Sequence, residues 1–171
     1  VLGSGIAGST IANLLSKKYS VHVFDKARGA GGRSSNKKLK SNLSFDHGVQ
    51  YISPKSKVFT KIIQKLSKKK ILKTWDGNHL DFTFEKKTLN PKYIGVKANN
   101  ALSKYYLKNI KTSFSSQIIK IEHNKYFWEI KLDDNSKHQF KALILTCPFP
   151  QLKKLAGRYL EKKISNLKIQ M

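Results

Sequence analysis

Three glycines at the start of the chain constrain its fold more than any other feature. The opening "VLGSGIAGST" places Gly3, Gly5 and Gly8 after what reads as the end of an apolar strand. An amphipathic helix is expected next, because Ala7, Ile11, Leu14 and Leu15 fall at i, i+4, i+7 and i+8 on one face. In such a Gly-x-Gly-x-x-Gly turn the first glycine makes a tight bend. The second lets the backbone touch a pyrophosphate, and the third lets helix and strand pack closely. The helix start adds free N–H groups and a partial positive charge. "VHVFD" at 21–25 alternates like a strand and ends on Asp25, 17 residues beyond Gly8. An acid there can bond a ribose hydroxyl pair. The bland alternative is a chance glycine turn before a helix, and the order strand, turn, helix, strand, acid argues against it. Asp25 would repel a 2′-phosphate, so an unphosphorylated ribose is expected, with Arg28 a small counterweight.

A second glycine run, "KARGAGGRSS", follows directly. Its consecutive glycines let the backbone press against a ligand, and Arg33 can neutralise a diphosphate. Taken alone it is equally a flexible basic loop; its position after Asp25 favours the ligand. Next comes "FDHGVQYISP" at 45–54, whose Asp46 and His47 invite an acid–base or charge-relay reading. No serine sits on a Gly-x-Ser-x-Gly elbow, which argues against a hydrolase. Gly48 permits a tight backbone path, and Pro54 is expected to set the entry into the following helix. Asp46 and His47 then read as framing residues, and Gln50 and Tyr51 as the pair facing the cofactor. A plain strand-to-helix connection is the alternative.

Along the rest of the chain, Val58, Phe59, Ile62, Ile63 and Leu66 predict a helix at about 56–69. A short strand with Trp75 follows, then a "DGN" hairpin turn and the alternating "LDFTFE". "NNALSKYYL" at 99–107 reads as a helix with Asn99 as N-cap. "QIIKIE", "YFWEIKL" and "KHQFKALILTC" read as a three-strand antiparallel meander turning at "HNK" and "DDNS". Its last strand is expected to run on through "ALILT" to Cys147-Pro148, with a helix from near Gln151. The opening βαβ unit favours an α/β sheet, and the meander excludes simple alternation. No internal repeat or Pro/Gly/Ser linker divides the chain.

These blocks together carry a resemblance. "VLGSGIAG", "VFDKARGAGGRSS" and "FDHGVQYI", in that order, resemble the amino-terminal part of FAD-dependent oxidoreductases of the renalase-like branch of the flavin amine oxidase superfamily. "YIGVKANNALSKYYL" and "ILTCPFPQ" resemble later stretches of the same family, less specifically. The resemblance implies a Rossmann-like FAD-binding domain of α/β class with an antiparallel β-meander and part of a substrate-domain insert. It assigns 1–50 and 95–157 to the FAD-binding domain, 51–94 to the insert, and 158–171 to the tail of a truncated chain. It implies that Gly3, Gly5, Ile6, Ala7 and Gly8 meet the FAD pyrophosphate. Asp25 would hold the adenosine ribose with Lys26 beside it. Gly32 and Arg33 would contact the phosphate and ribityl region, and Gln50 and Tyr51 would lie against the flavin. Ile118 matches the position whose backbone meets adenine, and Pro148 the turn beside the cofactor. The implied reaction is hydride transfer from an amine-like or dihydronicotinamide-like small molecule to FAD and then to O2. Tyr51, Trp75 and Phe82 are candidates for the substrate wall, and no catalytic residue is implied. Family members are much longer and carry a late Gly-Asp segment that this chain lacks, so a fragment is expected. The opening Val1 in place of Met leads to the separate expectation that a few native residues are missing ahead of it.

Composition narrows the remaining classes. The formal charge is +24, from 34 Lys+Arg against 10 Asp+Glu. Only Arg28, Arg33 and Arg158 are arginines, whereas specific nucleic-acid readout favours arginine forks. The scattered lysines read as solvated faces, including "KKK" at a helix end, with nonspecific adhesion to polyanions following from the field. The rival class is therefore a polyanion- or membrane-surface-binding protein that keeps the fold without catalysis. The five histidines are dispersed and none pairs with Cys147 or an acid at metal-ligand spacing, so no metal is expected. Cys147 is the one cysteine; it reads as a buried structural thiol and suits a reducing, cytoplasmic setting. No apolar run approaches the ~20 residues of a membrane span, and no signal peptide is visible. The oligomeric state is not encoded in any of these features.

Overall fold

The computed structural model describes residues 1–39, 43–77 and 91–160. Helix α1 (Ile6–Leu15) follows the glycine turn and leads to β1 (His22–Phe24). Strands β2 (Asn36–Lys38) and β3 (Ser44–Asp46) pair antiparallel. Helix α2 (Lys57–Lys68) precedes β4 (Leu72–Thr74) and β5 (Tyr93–Gly95), which also pair antiparallel. Then come α3 (Ala101–Leu107), β6 (Lys111–Ser113), β7 (Ile118–His123), β8 (Trp128–Leu132), β9 (Lys137–Phe140) and α4 (Phe149–Ala156).

The parallel layer runs β6, β1, Leu2, Leu145 in space. β6 pairs with β1, and Leu2 bridges Phe24 on one side and Leu145 on the other, all in parallel. The chain order reverses beside Leu2, and open α/β sheets bind ligands in the crevice at such a point. β1 shows how the layers stack, because neighbouring side chains of a strand point to opposite faces. Val23 packs with Ala12, Ala30 and Leu107 on the side of α1 and α3. Phe24 packs with Ile118, Ile121, Ile130 and Leu132 on the side of the β7-β8-β9 meander. A third cluster joins Ile52, Ile63, Leu66, Leu72 and Leu102. Ile130 is 0 % exposed, and truncating such a residue to Ala costs about 2–5 kcal/mol.

The α/β class, the meander and the helix near 56–69 agree with the sequence reading, and several local expectations do not. The buried face of α1 is Gly8, Ser9 and Ala12, while Ala7 and Leu14 are exposed. Small residues there let the helix lie close to the glycine turn and to α3, a demand that outweighs apolar periodicity. "ALILT" does not continue β9. The chain bends after Phe140 and re-enters the parallel layer, where Leu2 N donates to Ile144 O (2.8 Å) and Thr146 N to Leu2 O (2.9 Å). α4 starts at Phe149, ahead of Gln151, because Pro148 O already accepts the Gln151 and Leu152 N–H groups. Pro54 lies three residues ahead of α2, and Ser56 caps the helix, accepting from Phe59 N at 3.2 Å. Asn100 rather than Asn99 is the N-cap of α3. Trp75 lies one residue past β4, although its N–H still pairs with Lys92 O at 2.8 Å. Asn78 of the "DGN" turn, "LDFTFE" and Phe82 lie outside the described residues.

His22 sits between the parallel layer and the meander. Its ring lies 4.0 Å from that of Phe24 and 6.1 Å from that of His138, and its Nε2 is 2.9 Å from Ser113 Oγ. Burial, followed by the charges of Lys111, His138 and the chain's amino group, lowers its pKa from 6.5 to about 4. The unfolded chain therefore takes up a proton near pH 6.5 that the folded chain refuses until about pH 4. The stabilisation is full above 6.5 and is lost as the pH falls towards 4. The thermal midpoint is expected to drop across this window, and His22→Phe is expected to flatten the drop. Midpoints measured from pH 7 downwards check this; an equal slope in the variant would refute the assignment.

Candidate functional site: a glycine-lined crevice at the carboxyl ends of the strands

Gly3 turns the chain out of the sheet with φ +104°, a conformation that L side chains rarely adopt. Its N–H donates to Phe24 O (2.9 Å), which fixes the turn to the end of β1. Gly8 then passes so close to Gly3 that an added Cβ would collide with the Gly3 carbonyl oxygen and come within 2.7 Å of Thr146 Oγ1. Thr146 Oγ1 donates to Leu2 O at 2.8 Å. The fold itself therefore demands Gly3 and Gly8.

Gly5 is different. Its φ of −67° and ψ of −177° suit any residue. A Cβ there would meet nothing nearer than Gly32 Cα at 3.8 Å. No packing contact calls for its missing side chain, and it stands at the start of α1, where the first N–H groups have no helical acceptor. The second glycine loop folds onto the same spot. Gly31 bridges Gly5, Gly31 N donates to Ser4 O (3.1 Å), and Gly32 begins a single 3-10 turn, Gly32–Ser34. Asn100 Nδ2 holds Ala30 O from behind at 3.2 Å, and Asn100 Oδ1 is buried with no hydrogen-bond partner.

Asp25 closes the crevice. Its Oδ2 accepts from Ser4 N (2.7 Å) and Ser4 Oγ (2.5 Å), and its Oδ1 accepts from Ala27 N (2.8 Å). A carboxylate offers about four acceptor directions, so one remains, on Oδ1. The expected grip on a hydroxyl pair is thus reduced to one free acceptor direction, because Ser4, 0 % exposed, spends its hydroxyl on the same carboxylate. Asp25 O and Ala27 O accept from Ser116 N and Ser115 N, which brings the approach to Ile118 alongside Asp25 and Lys26. The Ile118 side chain itself is core, 4 % exposed. Pro148 follows Thr146 beside the crevice. Cys147 is half-buried rather than buried; burial still pushes its thiol up, offset in part by a backbone hydrogen bond and then by Lys26, which fits an inert thiol.

The stretch 45–51 is tied to the same loop. Val49 N donates to Arg33 O at 2.9 Å, and a Cβ on Gly48 would collide with that oxygen. Asp46 and His47 do not form a dyad: Asp46 Oδ1 accepts from Asn36 Nδ2 and Asn99 N, both at 3.1 Å, while His47 Nε2 is 3.0 Å from Ser35 Oγ. Both frame the hairpin, as expected. Arg33, Gln50 and Tyr51 present exposed side chains. Tyr51 and Trp75 lie with ring centroids 5.6 Å apart, and Lys92 Nζ stands 4.3 Å from the Tyr51 ring centre and 5.8 Å from that of Trp75. Ser4, Lys92, Asn99, Asn100 and Thr146 were missed at the sequence level. Among them only Thr146, a polar end to an apolar run, carried a visible signal. Among the described residues no three His, Cys, Asp or Glu side chains converge as a metal set.

Residues 1–66 match the model of the NAD(P)-binding Rossmann-like domain. The chain is 29 % identical to mouse (Mus musculus) renalase over 168 residues, 92 % of its own length. It spans 48 % of that relative's length. A putrescine oxidase variant redesigned for cofactor binding superposes with a TM-score of 0.73 at 10 % identity, covering 96 % of this chain and 61 % of the other. The tetracycline destructase Tet(51) superposes at 0.64 and 14 %, covering 95 % and 41 %. At such identities these two structures show the fold alone. The chain thus carries a dinucleotide-binding domain of Rossmann-like fold.

The glycines give a direct check. Gly5→Ala is expected to keep or raise stability, by about 0.4–1 kcal/mol, while abolishing dinucleotide uptake. Gly8→Ala is expected to lower the thermal midpoint. Calorimetry paired with ligand titration separates the two; loss of stability in Gly5→Ala would mean that the fold, not a ligand, needs that glycine.

Proposed function

We propose that this chain is the cofactor-binding part of an FAD-dependent oxidoreductase of the renalase and amine oxidase type. The observation that carries the reading is Gly5, whose side chain is missing for no reason of packing, at a helix start faced by a second glycine loop bearing Arg33. The residues fit the group. Gly5, Ile6, Ala7 and Gly8 offer backbone N–H groups to a pyrophosphate. Lys26, Arg28 and Arg33 supply positive charge, and Asp25 is the only acid before Asp46. Asp25 Oδ1 has room for a ribose hydroxyl. Two phosphates and an extended second half suit FAD, because the Arg33 loop continues into Gln50 and Tyr51, where a flavin ring would lie.

Bound FAD would supply the redox chemistry, taking a hydride from the substrate and returning electrons to O2. The chain's own part is to bind and orient. Arg33 neutralises phosphate, and Gln50 and Tyr51 present a polar and an aromatic surface to the ring. The two substrate classes differ in charge. A cationic amine approaching Tyr51 and Trp75 meets the Lys92 ammonium, whereas a neutral dihydronicotinamide ring with its phosphates does not suffer that repulsion. The dihydronicotinamide-like substrate is therefore favoured.

The test is the visible spectrum of the purified chain after incubation with FAD and gel filtration. Stoichiometric flavin absorbance is expected. Arg33→Ala should weaken retention by about tenfold to a hundredfold, the loss of a charge-assisted contact of roughly 1.5–3 kcal/mol. No flavin uptake, together with salt-sensitive binding to DNA or anionic lipid, would favour the polyanion-binding alternative.

A further inference from the structure

The polypeptide crosses between the cofactor-binding part and the 51–94 insert twice, at 50/51 and at 94/95. One side chain holds both crossings. Asn99 Nδ2 donates to Val49 O (2.7 Å) and to Gln50 O (2.9 Å) on the outgoing strand. Asn99 Oδ1 accepts from Gly95 N (2.9 Å) on the returning strand. Its own backbone N–H donates to Asp46 Oδ1 at 3.1 Å. The residue is 1 % exposed. We propose that Asn99 is the pin that sets the insert against the cofactor loop, and so a positioning residue for Gln50 and Tyr51.

The chemistry of the site selects this side chain. It must give two hydrogen bonds and take one inside a closed space, which only a carboxamide does. A carboxylate would set negative charge against two carbonyl oxygens, and a leucine would leave two carbonyls and an N–H buried without partners. The surroundings leave little slack. A Cβ on Gly95 would collide with Ala98 O, so the turn from 95 to 98 is as tight as a backbone allows and returns directly to Asn99. The two crossing strands are also laced to each other, Ile52 N to Tyr93 O at 2.7 Å and Tyr93 N to Ile52 O at 2.8 Å. Beyond that pair, Ile52 enters the cluster with Ile63, Leu66, Leu72 and Leu102. On the other side, Val49 N holds Arg33 O. Asn99 therefore lies between the loop that bears Arg33 and the aromatic pair Tyr51 and Trp75, with hydrogen bonds reaching towards each. The functional weight of the pin rests on the flavin reading given above; its mechanical role does not.

The test uses the full chain carrying Trp128→Phe, so that Trp75 is the only tryptophan. Asn99→Asp and Asn99→Leu are compared with Leu107→Ala, which weakens the same helix on the face towards α1. Both Asn99 variants are expected to change Trp75 emission and acrylamide quenching well below their unfolding midpoints, because Tyr51 shifts against it. Leu107→Ala is expected to leave both unchanged at a similar loss of midpoint. Where the parent chain retains FAD, Asn99→Asp is expected to weaken retention about tenfold, the cost of roughly one lost buried hydrogen bond, and to alter the shape of the flavin band. Unchanged Trp75 quenching in the Asn99 variants, or an equal change in Leu107→Ala, overturns the pin. A parent chain that takes up no flavin overturns the cofactor reading and leaves the Trp75 comparison to decide on Asn99. If Asn99→Leu does not fold, Asn99→Ser replaces it and is judged by the same comparison.

Discussion

The approach of Gly8 to the Gly3 carbonyl is the contact on which the rest of the structure depends. It brings the start of α1 against the end of the first parallel segment with no side chain between them. Thr146 closes the same space from the neighbouring strand, donating to Leu2 O. Two neighbouring segments and a third far along the chain thus meet at one point, and the crevice they leave is the reversal point of the sheet. Because close packing leaves no slack there, the first free N–H groups of α1 are aimed by the fold and not by a ligand.

What was legible in the sequence follows from what each residue has to do. Gly3 and Gly8 are legible because a backbone bend and a backbone collision leave few alternatives to glycine. The meander is legible because "QIIKIE" and "YFWEIKL" alternate, and Ile118, Ile121, Ile130 and Leu132 do turn inward. "ALILT" was misassigned because an apolar run reports burial and says nothing of which sheet accepts it. The face of α1 was misread because the helix lies so close to its neighbours that small residues pack better than large ones. Asn99 was illegible as a pin. Its partners are carbonyls of Val49 and Gln50 and the N–H of Gly95, and backbone groups leave no mark in a sequence. Ser4 differs, because its N–H and its hydroxyl both bond a side chain, the Asp25 carboxylate, 21 residues away.

The excess of lysine acts on this framework as a field more than as a set of bonds. The ion pairs among the described residues, Lys120–Glu122, Lys137–Glu129 and Arg158–Glu122, lie on exposed side chains around the meander, with only Glu129 half-buried, where such pairs contribute little. Their acids are nonetheless held below the usual carboxylate range, Glu122 first by its bond with Lys120 and Glu129 first by its bond with Lys137. Around the crevice the balance is simpler, with Lys26, Arg28 and Arg33 against Asp25. That asymmetry draws an anion towards the glycine loops from a distance, and the screened field of the remaining lysines adds to it at low salt.

Asp25 sharpens what kind of recognition this crevice performs. Three of its acceptor directions are already used by Ser4 and Ala27, so the carboxylate braces the first glycine turn before it meets any ligand. Arg33 is exposed, while its carbonyl anchors Val49. Ile118 is core, and its side chain is closed to a ligand. The groups left to face a dinucleotide are therefore largely main-chain N–H groups, presented by a turn whose middle glycine keeps the surface bare. Recognition by backbone fixes a pyrophosphate and the path of the chain that leaves it, and reads little of what lies at the far end. On the proposed flavin reading, selection between substrates falls to Tyr51, Trp75 and Lys92, and the placement of Tyr51 falls to the single amide of Asn99.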